Sequence, residues 1–223
     1  MYSFYNPIPR HRVFISYYHA DDQYYKNEII RWNTFEHLFE DYSVHDGDID
    51  DTYLSDEQIR VKIRDEYIKD ATVLILLCGK NSKHRKYIDW ELHAAMYDSE
   101  KNPKMGILVI NLPYSNNNVF APTDREKQII SPWGNWISLS SRGEYEQNYP
   151  SAPSRIIDCL TKTNSDIAFV NWDTIASNHL ALQELVDIAF NRRKTVKYDT
   201  STRLRRKNAP DENDFYKSLY RRF

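Results

Sequence analysis

Three short apolar runs mark the first half of the chain: His11-Arg-Val-Phe-Ile-Ser-Tyr-Tyr18, Thr72-Val-Leu-Ile-Leu-Leu-Cys78 and Met105-Gly-Ile-Leu-Val-Ile-Asn111. The last two are rich in branched residues and almost unbroken by polar ones, the pattern of strands covered on both faces. Between the runs the apolar spacing becomes helical. From about Tyr24 to Glu40 the stripe is Ile29, Ile30, Phe35, Leu38 and Phe39, with the polar His19-Ala-Asp-Asp-Gln23 before it read as a loop. A short strand is expected around Tyr42-Ser-Val-His45, and Ser55 looks like an N-cap for a helix reaching about Lys69 with Ile59, Ile63 and Ile68 inward. A further helix is expected from about 87 to 100, with Ile88, Leu92, Ala95 and Met96 apolar and Asn102-Pro103 stopping it.

This regular alternation of strand and helix predicts an α/β fold, a parallel sheet with helices on both faces and ligands at the carboxyl ends of its strands. After Leu112 the pattern loosens into a long loop marked by Asn116-Asn-Asn118 and Pro122. Trp133-Gly-Asn-Trp-Ile-Ser-Leu139 is expected to form a fifth, edge-like strand. Pro150 and Pro153 precede a helix at Ser154 to Leu160, and Leu180, Leu182, Leu185, Val186, Ile188 and Ala189 fall on another from about Thr174 to Arg193. The expected organisation is an arm at 1–10, a domain at 11–193 with an insertion at about 113–153, and a tail at 194–223. At 223 residues, one α/β domain with additions is the natural reading.

Charge changes this picture only at the end of the chain. The overall balance is −2, which points to neither nucleic acid nor an anionic membrane, but residues 194–223 carry nine Lys/Arg against four Asp/Glu. That leaves +5 on the tail and −7 on the rest, as suits either a contact arm or a tail docked on an acidic body. The two cysteines, Cys78 and Cys159, make no metal-type spacing. With no signal-peptide pattern and no apolar run near twenty residues, a cytoplasmic protein is expected. Amphipathic packing accounts for the 17 tyrosines.

Several chemistries are excluded by motif. Five glycines leave no room for a phosphate-binding Gly-rich loop, and no His-Glu-x-x-His, paired-Cys or Gly-x-Ser-x-Gly element occurs. Asp46-Gly-Asp-Ile-Asp50 starts like a calcium loop but lacks the closing Glu, so no metal is expected there. Two elements remain. Phe14-Ile-Ser-Tyr-Tyr-His-Ala-Asp-Asp22 carries a buried strand into hydroxyl, imidazole and carboxylate groups, and Ser82 through Glu91 follows the third strand. If strands one and three are neighbours, both face one crevice. Glu91, placed in the first helical turn, is equally an acid favoured by the helix dipole.

Val13-Phe-Ile-Ser-Tyr17 with acids after it resembles the first box of Toll/interleukin-1 receptor (TIR) domains. Ser82-x-x-x-x-Tyr87-Ile-x-Trp-Glu91-Leu is similar to the segment in which TIR enzymes carry an aromatic residue four positions before a catalytic Glu, often Trp where this chain has Tyr87. Over roughly 11–112 the chain looks most like the bacterial TIR-like family that includes the sensor component of Thoeris antiphage defence. The resemblance implies a flavodoxin-like, TIR-type α/β fold with a C-terminal helical extension. It also implies cleavage of NAD, as substrate rather than cofactor, with release of nicotinamide and formation of a cyclic ADP-ribose-type signal nucleotide. A separate effector would read that signal, a phage-derived activator would trigger it, and homo-oligomers are expected. By motif position Glu91 is catalytic, and Phe14, Ser16, Tyr17, His19, Asp46, Ser82, Tyr87 and Trp90 are the candidate substrate contacts. Two other readings stay open at this point: a non-catalytic TIR-like interaction protein, and a nucleoside deoxyribosyltransferase-like transferase in which a Glu attacks the sugar.

Overall fold

All three apolar runs become strands of one parallel sheet in the computed structural model, which describes residues 8–43, 53–100 and 102–208. β1 (Arg12–Ser16) is followed by α1 (His19–Glu36), the two-residue β2 (Glu40–Asp41) and α2 (Asp56–Lys62), which runs on as a π-helical turn at Ile63–Tyr67. Next come β3 (Val73–Cys78), a short 3-10 turn at Ser82–His84, α3 (Lys86–Met96) and β4 (Gly106–Asn111). The second half supplies α4 (Asp124–Ile130), α5 (Arg142–Asn148), α6 (Ser154–Lys162), β5 (Ala168–Asn171), α7 (Trp172–Ser177) and α8 (His179–Arg192). The strand order is β2-β1-β3-β4-β5, all parallel, which is the flavodoxin-like order.

The two-residue period of the strands sorts their side chains between two cores. Phe14, Leu74, Leu76, Ile107, Val109 and Phe169 face α2, α3 and α6, whose Ile59, Ile88, Leu92 and Ile156 complete that layer. Val13, Ile15, Val73, Ile75, Leu108 and Val170 face α1, α7 and α8, meeting Ile29, Trp32, Ile175, Leu182 and Leu185. β3 and β4 are buried along their whole length, which is why their sequences carry no polar alternation. Gly106 is required by this packing, because a Cβ there would lie 2.1 Å from the Ala189 carbonyl oxygen of α8.

Ser55 caps α2 in a full capping box with Gln58, and Ile59, Ile63 and Ile68 are all buried, as the pattern predicts. Other expectations need correction. The stretch 19–23 is the first turn of α1, since the N–H groups of Asp21 and Asp22 bond the Tyr18 carbonyl and both acids sit at the positive end of the helix. His37, with φ 53°, ends that helix early, so Leu38 and Phe39 are buried beyond it, while Phe35 is 75 % exposed. β2 lies at 40–41, just before the expected 42–45, whose last two residues fall outside the described set along with Asp46 and Asp48.

The expected strand at 133–139 does not form. β5 fills the place beside β4, and Trp133 is 97 % exposed. Residues 113–153 contain α4 and α5, each with a capping box (Thr123 with Glu126, Ser141 with Glu144) that announces a helix start in the sequence. The single helix expected at 174–193 is two, divided at Asn178. Among the described residues no helix is long and apolar enough to cross a membrane.

Candidate functional site

In this strand order the chain leaves β1 toward β2 on one side and reaches β3 on the other, so the carboxyl ends of β1 and β3 border the crevice where such sheets bind ligands. Ser16 ends β1 and shares the side of Phe14, toward α3. Its Oγ–H donates to Glu91 Oε2 at 2.6 Å. Ser16 is 1 % exposed and Glu91 is half-buried, so the hydroxyl fixes one carboxylate oxygen from below while the group keeps contact with the surface. Glu91 lies in the second turn of α3, because the helix begins at Lys86; the acid of the first turn is Asp89. A dipole effect confined to the first turn therefore gives a weaker account of Glu91 than the sequence suggested.

The loop between β3 and α3 is tied down on both sides. The Gly79 N–H donates to Ser82 Oγ at 2.9 Å, and Asn81 Nδ2 donates to Asp21 Oδ2 at 2.6 Å. The Arg85 guanidinium stacks 3.6 Å from the centre of the Tyr18 ring. On the α1 side of this edge lies a cleft of about 470 Å³ bordered by Asp21, Asp22, Tyr25, Gly79, Lys80 and Tyr114. Asp22 is 5 % exposed and its Oδ2 has no hydrogen-bond partner among the described residues. Burial pushes its carboxyl up to about 6, with the neighbouring Asp21 adding to the rise, against the opposing pull of a hydrogen bond from the Tyr18 backbone and the charge of Arg85.

The candidate contacts fall into three groups. Ser16 and Glu91 are in direct contact, and Tyr17 and His19 stand at the same strand exit with rings 6.1 Å apart, Tyr17 donating its hydroxyl to Gln23 at 2.8 Å. Tyr87 is half-buried, edge-on to Trp90 at 5.1 Å. The geometry gives Phe14, Ser82 and Trp90 other work. Phe14 lies in the core, Ser82 is fully buried with its hydroxyl spent on the Gly79 N–H and the Leu77 carbonyl, and Trp90 is fully buried with its indole N–H donated to the Arg205 carbonyl. Their motif spacing carried no information about which way they point. Asp46 lies outside the described residues.

The model of the family described as Thoeris protein ThsB, TIR-like domain, matches residues 14–117. Over this stretch the chain is similar to the TIR-like domain of ThsB. The matched residues run from inside β1, through the Ser16 and Glu91 positions, to just beyond β4. Curated proteins compared with the chain give no match. The match supports a TIR-type protein of Thoeris antiphage defence. The sheet is completed from outside the matched stretch, by β5 and its flanking helices.

Sequence reasoning missed the setting of the helix that carries Glu91. Asp89, one turn into α3, forms a bidentate pair with Arg155 of α6 at 2.9 and 3.1 Å, with the arginine side chain fully buried. Burial and the Arg155 charge push the neighbouring His93 down to about 4. Arg155 is buried on α6 together with Ile156, Ile157, Asp158, Cys159 and Leu160, a buried cation whose need of a partner was legible; the identity of that partner was not. Among the described residues no three His, Cys, Asp or Glu side chains are grouped so as to hold a metal ion.

Proposed function

We propose that this protein is an enzyme of antiphage defence that cleaves NAD at the bond between nicotinamide and ribose, with Glu91 as the catalytic carboxylate. The observation that carries the reading is the Ser16 to Glu91 hydrogen bond, 2.6 Å long, at the switch point of a ThsB-type TIR-like domain. It supports a carboxylate held in one orientation at the place where such sheets take ligands.

The chemistry asks for a single acid. As the C1′–N bond breaks, its electron pair passes to the pyridinium nitrogen, and nicotinamide departs neutral without a proton donor. Sugar-oxygen leaving groups, by contrast, need a general acid. What the site must supply is orientation of the ribose and negative charge near the oxocarbenium-like C1′, and a fixed carboxylate supplies both. Ser16 acts on Glu91 as a positioning residue, and Tyr17, His19 and Tyr87 border the substrate in this reading. Attack on C1′ by a nucleophile of the same ADP-ribosyl group closes a cyclic product, since a held internal nucleophile competes effectively with water. That nucleotide reaches a separate effector, and a phage-derived component switches the enzyme on in the cytoplasm. The reading includes homo-oligomers, for which Trp133, 97 % exposed in the 113–153 insertion, offers a contact.

The test is nicotinamide release from NAD by the purified chain, alone and with lysate of infected cells, followed by mass spectrometry of the nucleotide product. Glu91→Gln preserves the size of the side chain and the hydrogen bond from Ser16 while removing the charge. It should fold normally and lose at least about a hundred-fold in turnover. Equal turnover of variant and wild type sinks the assignment.

A further inference from the structure

Lys86, the first residue of α3, has its N–H bonded at 2.8 Å to Asn208 Oδ1, from 122 positions away, and Arg85 as N-cap supplies no side-chain cap of its own. Asn208 belongs to a stretch after α8 that lacks regular secondary structure yet is bound closely to the body. Tyr198 donates its hydroxyl to the Met105 carbonyl at 3.1 Å, Leu204 is buried, and the Leu204 N–H donates to Asp56 Oδ2 at 3.2 Å. The Arg205 backbone grips α3 from both of its polar groups: its N–H donates to Asp89 Oδ2 at 2.9 Å and its carbonyl accepts from Trp90 Nε1. Its guanidinium donates to the Lys83 carbonyl at 3.2 Å. Beneath this crossing Arg155 donates to Asp89 and also to the Thr202 and Arg203 carbonyls at 3.1 and 3.2 Å.

Asp89 and Trp90 are the two residues immediately before Glu91. The same peptide therefore fixes the turn that carries Glu91, while Asn208 fixes the helix start one turn earlier. A tail docked merely to bury apolar surface has no need to satisfy the first amide of α3 or to share the ligands of a buried ion pair at Asp89. We infer that residues 198–208 are a positioning strap for α3, holding Glu91 where Ser16 meets it. The stretch covered by the family match thus depends on a segment outside it for the placement of its carboxylate. This rests on Glu91 being catalytic, as proposed above. The strap residues touch no substrate; they act through the helix.

The experiment uses the full chain with two substitutions, each of which deletes one hydrogen bond between the strap and α3. Trp90→Phe deletes the donor to the Arg205 carbonyl and keeps an aromatic ring, while Asn208→Ala deletes the cap on Lys86; Asn208→Asp keeps the cap acceptor and serves as the rescue. Amide hydrogen exchange at residues 86–91, with β3 and β4 amides as the internal control, is measured beside the kinetics of nicotinamide release. The double variant should exchange about ten-fold faster in 86–91 with the sheet unchanged, in keeping with two lost hydrogen bonds. Its kcat should fall about ten-fold or more, with KM within about two-fold, because misplacing the acid weakens stabilisation of the transition state and leaves substrate binding intact. Asn208→Asp should match wild type in both readings. Unchanged exchange in the double variant overturns the strap, and so does faster exchange with unchanged kcat. If wild type releases no nicotinamide with or without infected-cell lysate, the catalytic reading fails. The exchange result then decides by itself whether 198–208 holds α3.

Discussion

Replacing Asp22 by Asn gives the strap-independent end of the crevice its own electrostatic test. The folded protein holds this carboxyl buried with one oxygen unpartnered, and its pKa rises from 3.8 to about 6. Between those two values the folded state retains a proton that the unfolded chain has already lost, so it binds more protons than the unfolded state there. The contribution of Asp22 to stability must then fall as pH rises from about 4 to about 6 and level off above, set against the opposite trend from His93, which is common to variant and wild type. At about 1.36 kcal/mol per pH unit the full effect is about 3 kcal/mol, and water in the adjoining cleft brings it toward about 2 kcal/mol. Asn has no proton to lose, so whatever its fixed cost beside Gly79, the gap between variant and wild type should move about 2–3 kcal/mol in favour of the variant from pH 4 to pH 7. Urea unfolding followed by tryptophan fluorescence at pH 4, 5, 6 and 7, with a common m-value, measures that gap. Parallel stability curves refute the reasoning. A gap moving the other way means that the ionised carboxylate is paired in the folded protein.

Three further outcomes follow from the same geometry. Ser16→Ala removes the donor to Glu91 and should lower the kcat of nicotinamide release about ten-fold with little change in KM, by the usual worth of a hydrogen bond to a charged group; a pure KM effect contradicts the positioning role. Gly106→Ala places a Cβ 2.1 Å from the Ala189 carbonyl oxygen, and α8 must shift off β4 to admit it, so urea unfolding should show a loss of about 3 kcal/mol. Asp89→Ala leaves the Arg155 guanidinium buried without its carboxylate and should cost about 3–5 kcal/mol, whereas Asp89→Leu with Arg155→Met should recover most of that loss in the same assay.

The sheet was legible because β3 and β4 are buried on both faces, which forces unbroken apolar runs that no solvent-facing strand could tolerate. β5 was hidden because only four residues form it and Trp172 begins a helix directly after them, so Ala168-Phe-Val-Asn171 offers no length over which a period can be read. Trp133 to Leu139 has the composition of a strand, but composition says nothing about whether a sheet edge is free, and here β5 occupies it. At the site, the parity of β1 determined that Ser16 and Phe14 share a side, and the helix register of α3 brought Glu91 to Ser16. Trp90, one residue earlier, points about 100° away on the same helix, which is why its motif position suggested a ligand contact and its geometry gives it to Arg205.

The two acids at this sheet edge are set up oppositely, and the contrast bears on which of them serves chemistry. Asp22, on the α1 side, is buried with one oxygen that nothing orients, so ionising it works against its surroundings. Glu91, on the α3 side, has a neutral donor placed on one oxygen by the end of β1, and its helix is fixed by Asp89 through Arg155 and by the peptide of Arg205. A group that must stabilise positive charge on a bound sugar gains from fixed orientation, because any swing of the carboxylate during bond cleavage is reorganisation that slows the step. Three distant parts of the sequence, around residues 16, 155 and 205, converge on the few residues that end at Glu91. An acid that merely complemented a helix dipole would need none of them.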